Sequence, residues 1–488
     1  MRAELYPHQR TGAEKSIEAL RSTGAYALLY EMGCGKTLTA MAAMGRLYED
    51  GDIERVLIVA PASVCSVWKK DMERFADFPY LLRVLLGERK KREQMLESLV
   101  RYDTDTKMFG IGKKLLVAVI NYESAWRMET ELTAFKPQLI ICDESQRIKS
   151  RTAQQSKALH RLGKYAKYRM ILSGTPVQNS PLDMYSQFLF LKPDVFGTRW
   201  KPFEAHYAVL GTIYAPGGRA VSKVQGYRNL DELTAKVYDH AHRVTKAEAL
   251  DLPDKTFESR YVELAPPEAR AYREMQKESL VWLGETDVVT APIVLTRMLR
   301  LQQITGGFLA DSEGEAVQLG TSKLDALRDI IEDAVIDGGE KLVVFARFVP
   351  EVKSILALCE KMKVPAVGLW GEVPTVQRGD LVERFQTDPD CKVFVAQIDT
   401  AGTGITLHAA HLAVFYSVNF NYATYQQATD RIHRIGMGDA PCHYIHLVAE
   451  GTIDEHVLEA LEQKRDLADV VLDKRREIFD WRRSDGKP

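Results

Sequence analysis

The sequence predicts an α/β protein of two similar lobes, each a parallel sheet with helices on both faces, joined by a mainly helical connector. Three observations carry this expectation. Short apolar runs alternate with longer amphipathic stretches, as buried parallel strands and their crossover helices require. The alternation occurs twice, once in each half of the chain. Between about residues 200 and 320 it gives way to helical stretches punctuated by Leu252-Pro253 and Ala265-Pro266-Pro267.

In the first half the strand candidates are Ala25–Leu29, Val56–Ala60, Leu115–Ile120, Leu139–Cys142 and Met170–Leu172. In the second they are Leu342–Phe345, Ala366–Leu369, Val393–Ala396, Leu412–Tyr416 and Tyr444–Val448. Ala215-Pro216-Gly217-Gly218 is a hairpin candidate. The expected division is a first lobe over 1–255, a helical connector over 256–315, a second lobe over 316–470 and a basic, frayed tail over 471–488.

At 488 residues the chain exceeds one ordinary domain. Apolar residues at 45% and charged residues at 27% suit a globular protein. No apolar run approaches the roughly 18 residues a bilayer span needs, and the polar start Met1-Arg2-Ala3-Glu4 shows no signal peptide. Six scattered cysteines with no Cys-x-x-Cys pair argue against a zinc module or disulfide framework and for a reducing cytoplasm. A net charge of −2 means that phosphate binding must come from local clusters and loops.

The strongest local signal is Tyr30-Glu31-Met32-Gly33-Cys34-Gly35-Lys36-Thr37, placed after a strand and before a helical run. Gly33 and Gly35 let backbone N–H groups wrap phosphates, and the helix start favours negative charge. Lys36 would reach the β- and γ-phosphates and Thr37 a Mg²⁺. A strict phosphate loop has glycine where Tyr30 stands, and the alternative is a Gly-rich turn with a solvated lysine. The second signal is Asp143-Glu144 at the carboxyl end of an apolar strand, where open α/β sheets bind ligands. Asp143 would hold Mg²⁺, usually through water, and Glu144 would activate the attacking water. Alone, such a pair also marks a helix start; a phosphate loop about a hundred residues upstream shifts the balance toward catalysis. The third is Arg431 and Arg434, spaced to share one helix face and to act as arginine fingers. The alternative there is an exposed helix with Asp430 paired locally and His433 packing.

These segments, in this order, resemble superfamily-2 helicase-like motors, and among them the SWI/SNF-type ATPases, over nearly the whole chain. The resemblance implies two RecA-like lobes binding ATP in the cleft between them. It implies adenine recognition by Gln9 in Leu5–Gly12 and coupling of hydrolysis to lobe movement by Ser173 and Thr175 in Ser173–Asn179. Val59-Ala60-Pro61 with Trp68 and Phe75 is similar to motif Ia, and Ile120–Glu123 to the next DNA-facing segment. Gln225–Leu233, Leu252–Lys255 and Leu299–Ile304 resemble stretches particular to the SWI/SNF branch. Lys341–Phe345, Gly371 to Phe385 and Ala401–Leu407, with Gly402 and Gly404, match motifs IV to V, and Gly451–Glu455 follows motif VI.

Several positions depart from the family pattern. Ser145-Gln146 stands for the small residue and histidine of its Asp-Glu-x-His box, so coupling through Gln146 differs. Met437 stands where Gln is common, Asn421-Tyr422 where Asn-Pro is, and Tyr30 where an acidic residue is. The chain reads as a compact, divergent motor. The implied partners are ATP with Mg²⁺ and double-stranded DNA, with no membrane. DNA grips are expected at Ser63, Asn121-Tyr122, Arg347 and Thr400 to Thr403. The basic run Arg89-Lys90-Lys91-Arg92 is either part of that track or a solvated helix face balanced by Glu88 and Glu93. A strand-separating helicase and a nucleotide-gated scaffold are the competing expectations.

Overall fold

The computed structural model describes residues 1–109, 112–214, 220–249, 253–285, 291–310, 315–401, 405–434 and 440–473. The chain divides into two compact units, one built mainly from Met1–Leu210 and Val224–Asp251, the other mainly from Leu252–Arg465.

The first unit contains strands β1 (Ala25–Tyr30), β2 (Arg55–Ala60), β3 (Tyr80–Val84), β4 (Leu115–Asn121), β5 (Leu139–Asp143) and β6 (Tyr168–Leu172). A small two-stranded sheet, β7 (Ala208–Tyr214) with β8 (Ala220–Tyr227), precedes β9 (Ala241–Val244). The hairpin candidate at 215–218 lies outside the described residues. The main sheet runs β3-β4-β2-β5-β6-β1-β9, with every pairing parallel. Its central strands are buried along their length, which explains why they read as continuous apolar runs. The carboxyl ends of β1, β2, β4, β5 and β6 carry the Gly33–Thr37, Val59–Pro61, Ile120–Glu123, Asp143–Glu144 and Ser173–Asn179 segments, while Gln9 lies on the helix Pro7–Thr23.

The second unit begins with β10 (Lys255–Val262) and continues through a small hairpin, β11 (Phe308–Ala310) with β12 (Ala316–Gln318). Then follow β13 (Leu342–Ala346), β14 (Ala366–Leu369), β15 (Val393–Gln397), β16 (Leu412–Phe415) and β17 (Cys442–Ala449). These form a parallel sheet ordered β10-β17-β16-β13-β15-β14. Each unit therefore has its own parallel sheet flanked by helices, as expected, and its own core around that sheet.

Residues 256–262, assigned from the sequence to the connector, instead form most of β10, which pairs with β17 over eight positions from Lys255↔Cys442 to Val262↔Ala449. Both faces of β10 are largely exposed, so it carries no apolar run to betray it. The helices Pro266–Glu285 and Ala291–Thr305 follow it. The tail from 474 lies outside the described residues.

Candidate active site

Between β1 and the helix Lys36–Glu49 the chain turns through Gly33 at φ 91° and Gly35 at φ 79°, conformations that glycine adopts without strain. Lys36 opens the helix, largely buried, and its Nζ donates to the Tyr30 carbonyl at 3.0 Å. Thr37 follows in the first turn. Gln9, on the helix Pro7–Thr23, lies so close to Gly35 that a Cβ there would meet Gln9 Nε2 at 2.0 Å. Gln9 Nε2 donates to the Cys34 carbonyl at 3.4 Å, and His8 Nε2 stands 2.9 Å from the same oxygen. Tyr30, out of pattern for a phosphate loop, ends β1 with its ring fully buried. Its hydroxyl meets His242 Nδ1 at 2.9 Å and packs where any Cβ on Gly12 would stand. The tyrosine thus ties the loop's base to the first helix and to β9. Glu31 adds to this, accepting from Lys246 N at 3.0 Å and pairing with Arg243 at 3.3 Å.

Asp143 ends β5 and is 4% exposed. Its Oδ2 accepts from Trp68 Nε1 and its Oδ1 from Glu144 N, both at 2.9 Å. Burial, and then the neighbouring Glu144 charge, push its pKa well above the usual carboxylate value, against the Trp68 hydrogen bond and the Lys36 charge. No lysine, arginine or histidine among the described residues forms an ion pair with it. A buried carboxylate in that state fits a cation, and Mg²⁺ characteristically takes one or two carboxylates plus substrate phosphates.

Glu144 adopts φ 53°, ψ 55°, a left-handed conformation that a non-glycine residue holds only at a cost of about 1–3 kcal/mol. That turn brings its carboxylate to Gln146, whose Nε2 donates to Glu144 Oε2 at 2.6 Å. Gln146 Oε1 accepts from the Ser173 hydroxyl at 2.7 Å, and Ser173 Oγ accepts from Thr175 N at 3.1 Å. Gly174 stands against Lys36, since a Cβ there would lie 3.3 Å from Nζ. The structure therefore joins Gln9, Gly33, Gly35, Lys36, Asp143, Glu144, Gln146, Ser173 and Thr175 in one connected site.

Two members escaped the sequence reading. Gln187, fully buried, accepts from Ser145 Oγ and donates to the Pro176 carbonyl, both at 2.7 Å. It forms a second bridge between the β5 and β6 ends, and its signal was a glutamine beside Ser186 in the largely apolar run Tyr185–Leu191. Trp68 was assigned to a motif, but its bond to Asp143 spans 75 residues and left no local trace.

In the second unit the helix Tyr422–Thr429 stops before the arginines, so they do not share a helix face as expected. Tyr444 OH donates to the Thr429 carbonyl at 2.7 Å, and the next side chains are drawn to separate partners. Asp430 pairs with Lys255 at 3.1 Å, Arg431 NH1 donates to the Ile405 carbonyl at 3.2 Å, and His433 Nε2 lies 2.7 Å from the Pro253 carbonyl. Arg431 is 2% exposed; Arg434 is half-buried and donates to Thr406 Oγ1 at 3.0 Å. Pro253 and Lys255 thus anchor the arginine segment. Gly402, Thr403, Gly404, Gly436, Met437 and Leu252 lie outside the described residues.

The expected DNA grips fare unequally. Ser63 is exposed at the first turn of the helix Ala62–Phe75. Tyr122 is not available to a strand: it is 1% exposed, and its hydroxyl donates to the Asp143 carbonyl at 2.8 Å. Asn121 caps the short helix after β4, accepting from Ser124 N at 2.9 Å. Arg347 is taken up by Gln302 of Leu299–Ile304, which also donates to the Val418 carbonyl at 2.9 Å. Thr400 is buried, with its hydroxyl 3.2 Å from Gln397 Oε1. In the basic run, Arg89 pairs with Glu93 and Glu131 and Arg92 donates to Ser124, leaving Lys90 and Lys91 exposed.

Residues 8–306 match the SNF2-related domain and residues 322–436 the helicase conserved C-terminal domain. The chain is 29% identical to a SWI/SNF-related matrix-associated actin-dependent regulator of chromatin subfamily A-like protein 1 homolog from Caenorhabditis elegans, over 96% of this chain and 62% of that protein. It is likewise 29% identical to the DNA annealing helicase and endonuclease ZRANB3 of Mus musculus, over 98% of this chain and 41% of that protein. The chain thus spans about half the length of these relatives. Among solved structures it is similar to the Sulfolobus solfataricus SWI2/SNF2 ATPase core in complex with dsDNA. That structure is 26% identical, covers 97% of this chain and 94% of its own, and gives a TM-score of 0.45.

Proposed function

This chain belongs to the SNF2-related family of helicase-like ATPases, and from that premise we propose that it hydrolyses ATP to translocate on double-stranded DNA and remodel DNA or protein–DNA complexes. The observation that carries the hydrolytic part is the hydrogen-bonded series from Thr175 N–H through Ser173 and Gln146 to the Glu144 carboxylate. A carboxylate held in this way, beside a phosphate-type loop, is a general base with a mechanical connection.

In this reading Gln9 recognises the adenine, and the Gly33 to Thr37 turn wraps the phosphates. Lys36 leaves the Tyr30 carbonyl to reach the β- and γ-phosphates. Thr37 and Asp143 would hold a Mg²⁺, which would supply charge neutralisation on the transferring group. Glu144 takes the proton of the attacking water. Arg431 and Arg434 add positive charge at the γ-phosphoryl when the second unit closes on the nucleotide, so ATP favours the closed state and product release the open one. Alternating grip on the DNA backbone then converts closure into steps, with little preference for sequence. All six cysteines are buried and outside any disulfide, which suits a reducing interior, and no helix among the described residues is long and apolar enough to cross a membrane.

The test is the ATPase rate with matched duplex DNA, single-stranded DNA and RNA, beside a strand-displacement gel. Stimulation highest with duplex, falling steeply with salt, and displacement of a triplex-forming strand are expected. Equal stimulation by single strands with unwinding of a forked duplex would replace this reading with that of a strand-separating helicase. Negligible turnover under every condition would leave a nucleotide-gated scaffold.

A further inference from the structure

We propose that Trp68 is the positioning residue for the Asp143 carboxylate, fixing its rotation so that it faces Mg²⁺ while keeping its full negative charge. The inference rests on the ATPase reading above and adds to it a residue with an assigned task.

Parallel pairing of β2 with β5, from Val56↔Leu139 to Val59↔Cys142, sets the ends of the two strands side by side. The chain leaving β2 enters the helix Ala62–Phe75, which carries Trp68 over the end of β5. Trp68 is fully buried in the core with Cys65 and Met72, and its one N–H points at Asp143 Oδ2, 2.9 Å away. A buried indole needs an acceptor, and tryptophan has no acceptor of its own. The other carboxylate oxygen is held by Glu144 N, also at 2.9 Å, so both oxygens have a defined place and the carboxylate cannot spin.

The chemical identity of the donor matters. A lysine or arginine at this place would orient the carboxylate but cancel its charge, and with it the attraction for a divalent cation. A neutral N–H orients without neutralising. Outer-shell donors of this kind are worth roughly 10–100-fold in metal affinity. A purely structural Trp68 would fill volume, and its loss would lower stability without changing how the protein discriminates metal-bound from metal-free nucleotide.

The experiment replaces Trp68 with 3-benzothienylalanine, which keeps the shape and exchanges N–H for sulfur, and in parallel makes Trp68→Phe. Equilibrium binding of AMP-PNP is measured with and without Mg²⁺, together with the Mg²⁺ concentration that half-saturates ATP hydrolysis. The expected result is metal-free AMP-PNP binding unchanged, a Mg²⁺ half-saturation raised roughly 10-fold or more, and kcat largely recovered at high Mg²⁺. An unchanged Mg²⁺ dependence in the benzothienylalanine protein overturns the proposal, whatever happens to its stability or to the Phe variant. Lys36→Ala serves as the separate control. Loss of hydrolysis there with an unaltered Mg²⁺ response at position 68 overturns this inference alone, whereas hydrolysis surviving Lys36→Ala removes the reading beneath it.

Discussion

The Ser173 hydroxyl donates to the Gln146 side-chain carbonyl across 2.7 Å, and the amide group of the same Gln146 donates to Glu144 at 2.6 Å. One amide thus takes from the end of β6 and gives to the end of β5. A displacement of Ser173 must move the carboxylate or break a bond. Glutamine does this without titrating, so the connection holds its protonation across the whole working pH range.

Gln146→Ala should leave ATP affinity within about threefold and lower kcat. Taking the Gln146 amide away from the Ser173 hydroxyl and the Glu144 oxygen costs about 1–3 kcal/mol, or roughly 5- to 150-fold in rate at 1.36 kcal/mol per decade. Steady-state kinetics with saturating DNA decide it, and an unchanged kcat means the series carries no catalytic load.

Glu144→Gln should retain nucleotide binding and lose turnover by about 10²–10⁴, because an amide cannot accept the water's proton. Lys36→Ala should abolish hydrolysis. Nucleotide titration beside the ATPase assay separates the two effects; failure of the Glu144→Gln protein to bind ATP would make Glu144 structural or a metal ligand.

The two arginines should part company. Arg434, half-buried and bonded to Thr406, should on replacement by Ala slow hydrolysis by about 10³–10⁵. Arg431, buried against the Ile405 carbonyl, should on replacement also lower the unfolding midpoint. Kinetics and thermal unfolding of both variants give the comparison, and two silent substitutions would exclude closure onto the γ-phosphate.

Glu351 makes stability depend on pH. Burial lifts its pKa from 4.5 to about 7, despite the Ser417 hydroxyl and the Phe348 N–H that favour its charged form. Between those values the folded protein binds more protons than the unfolded chain, so stability is full below about 4.5 and falls as pH rises toward 7. Applying 1.36 kcal/mol per pKa unit across that interval gives a fall of about 3 kcal/mol. Glu351→Gln should flatten it. Urea unfolding of both proteins at several pH values tests this, and parallel curves would count against it.

The central strands were readable because burial on both faces forces apolar runs such as Ala25–Leu29 and Leu139–Cys142. The strands of the two large sheets that were missed, β3, β9 and β10, are all edge strands, with β3 half-exposed throughout and β10 exposed on both faces. Such strands are held by backbone pairing, which leaves little mark on side-chain choice. In the site, Lys36, Asp143 and Glu144 were legible because glycine and charge at strand ends are local signals. Trp68 and Gln187 were not, because their roles exist only once β2, β5 and β6 lie side by side. The arginine segment was misjudged in conformation because its partners, Pro253, Lys255 and Ile405, come from distant parts of the chain.

The place of β10 also governs how this polypeptide can be severed. A fragment starting at residue 263 forfeits an eight-position ladder and exposes the flank of β17, an invitation to aggregate. One ending at residue 240 does the same to β1 by discarding β9. Scission between residues 245 and 254 spares both ladders. It leaves Pro253 and Lys255 with the half that owns His433 and Asp430 only if the cut falls before 253. Separately expressed halves divided there are the pair that should each keep its sheet intact and remain soluble.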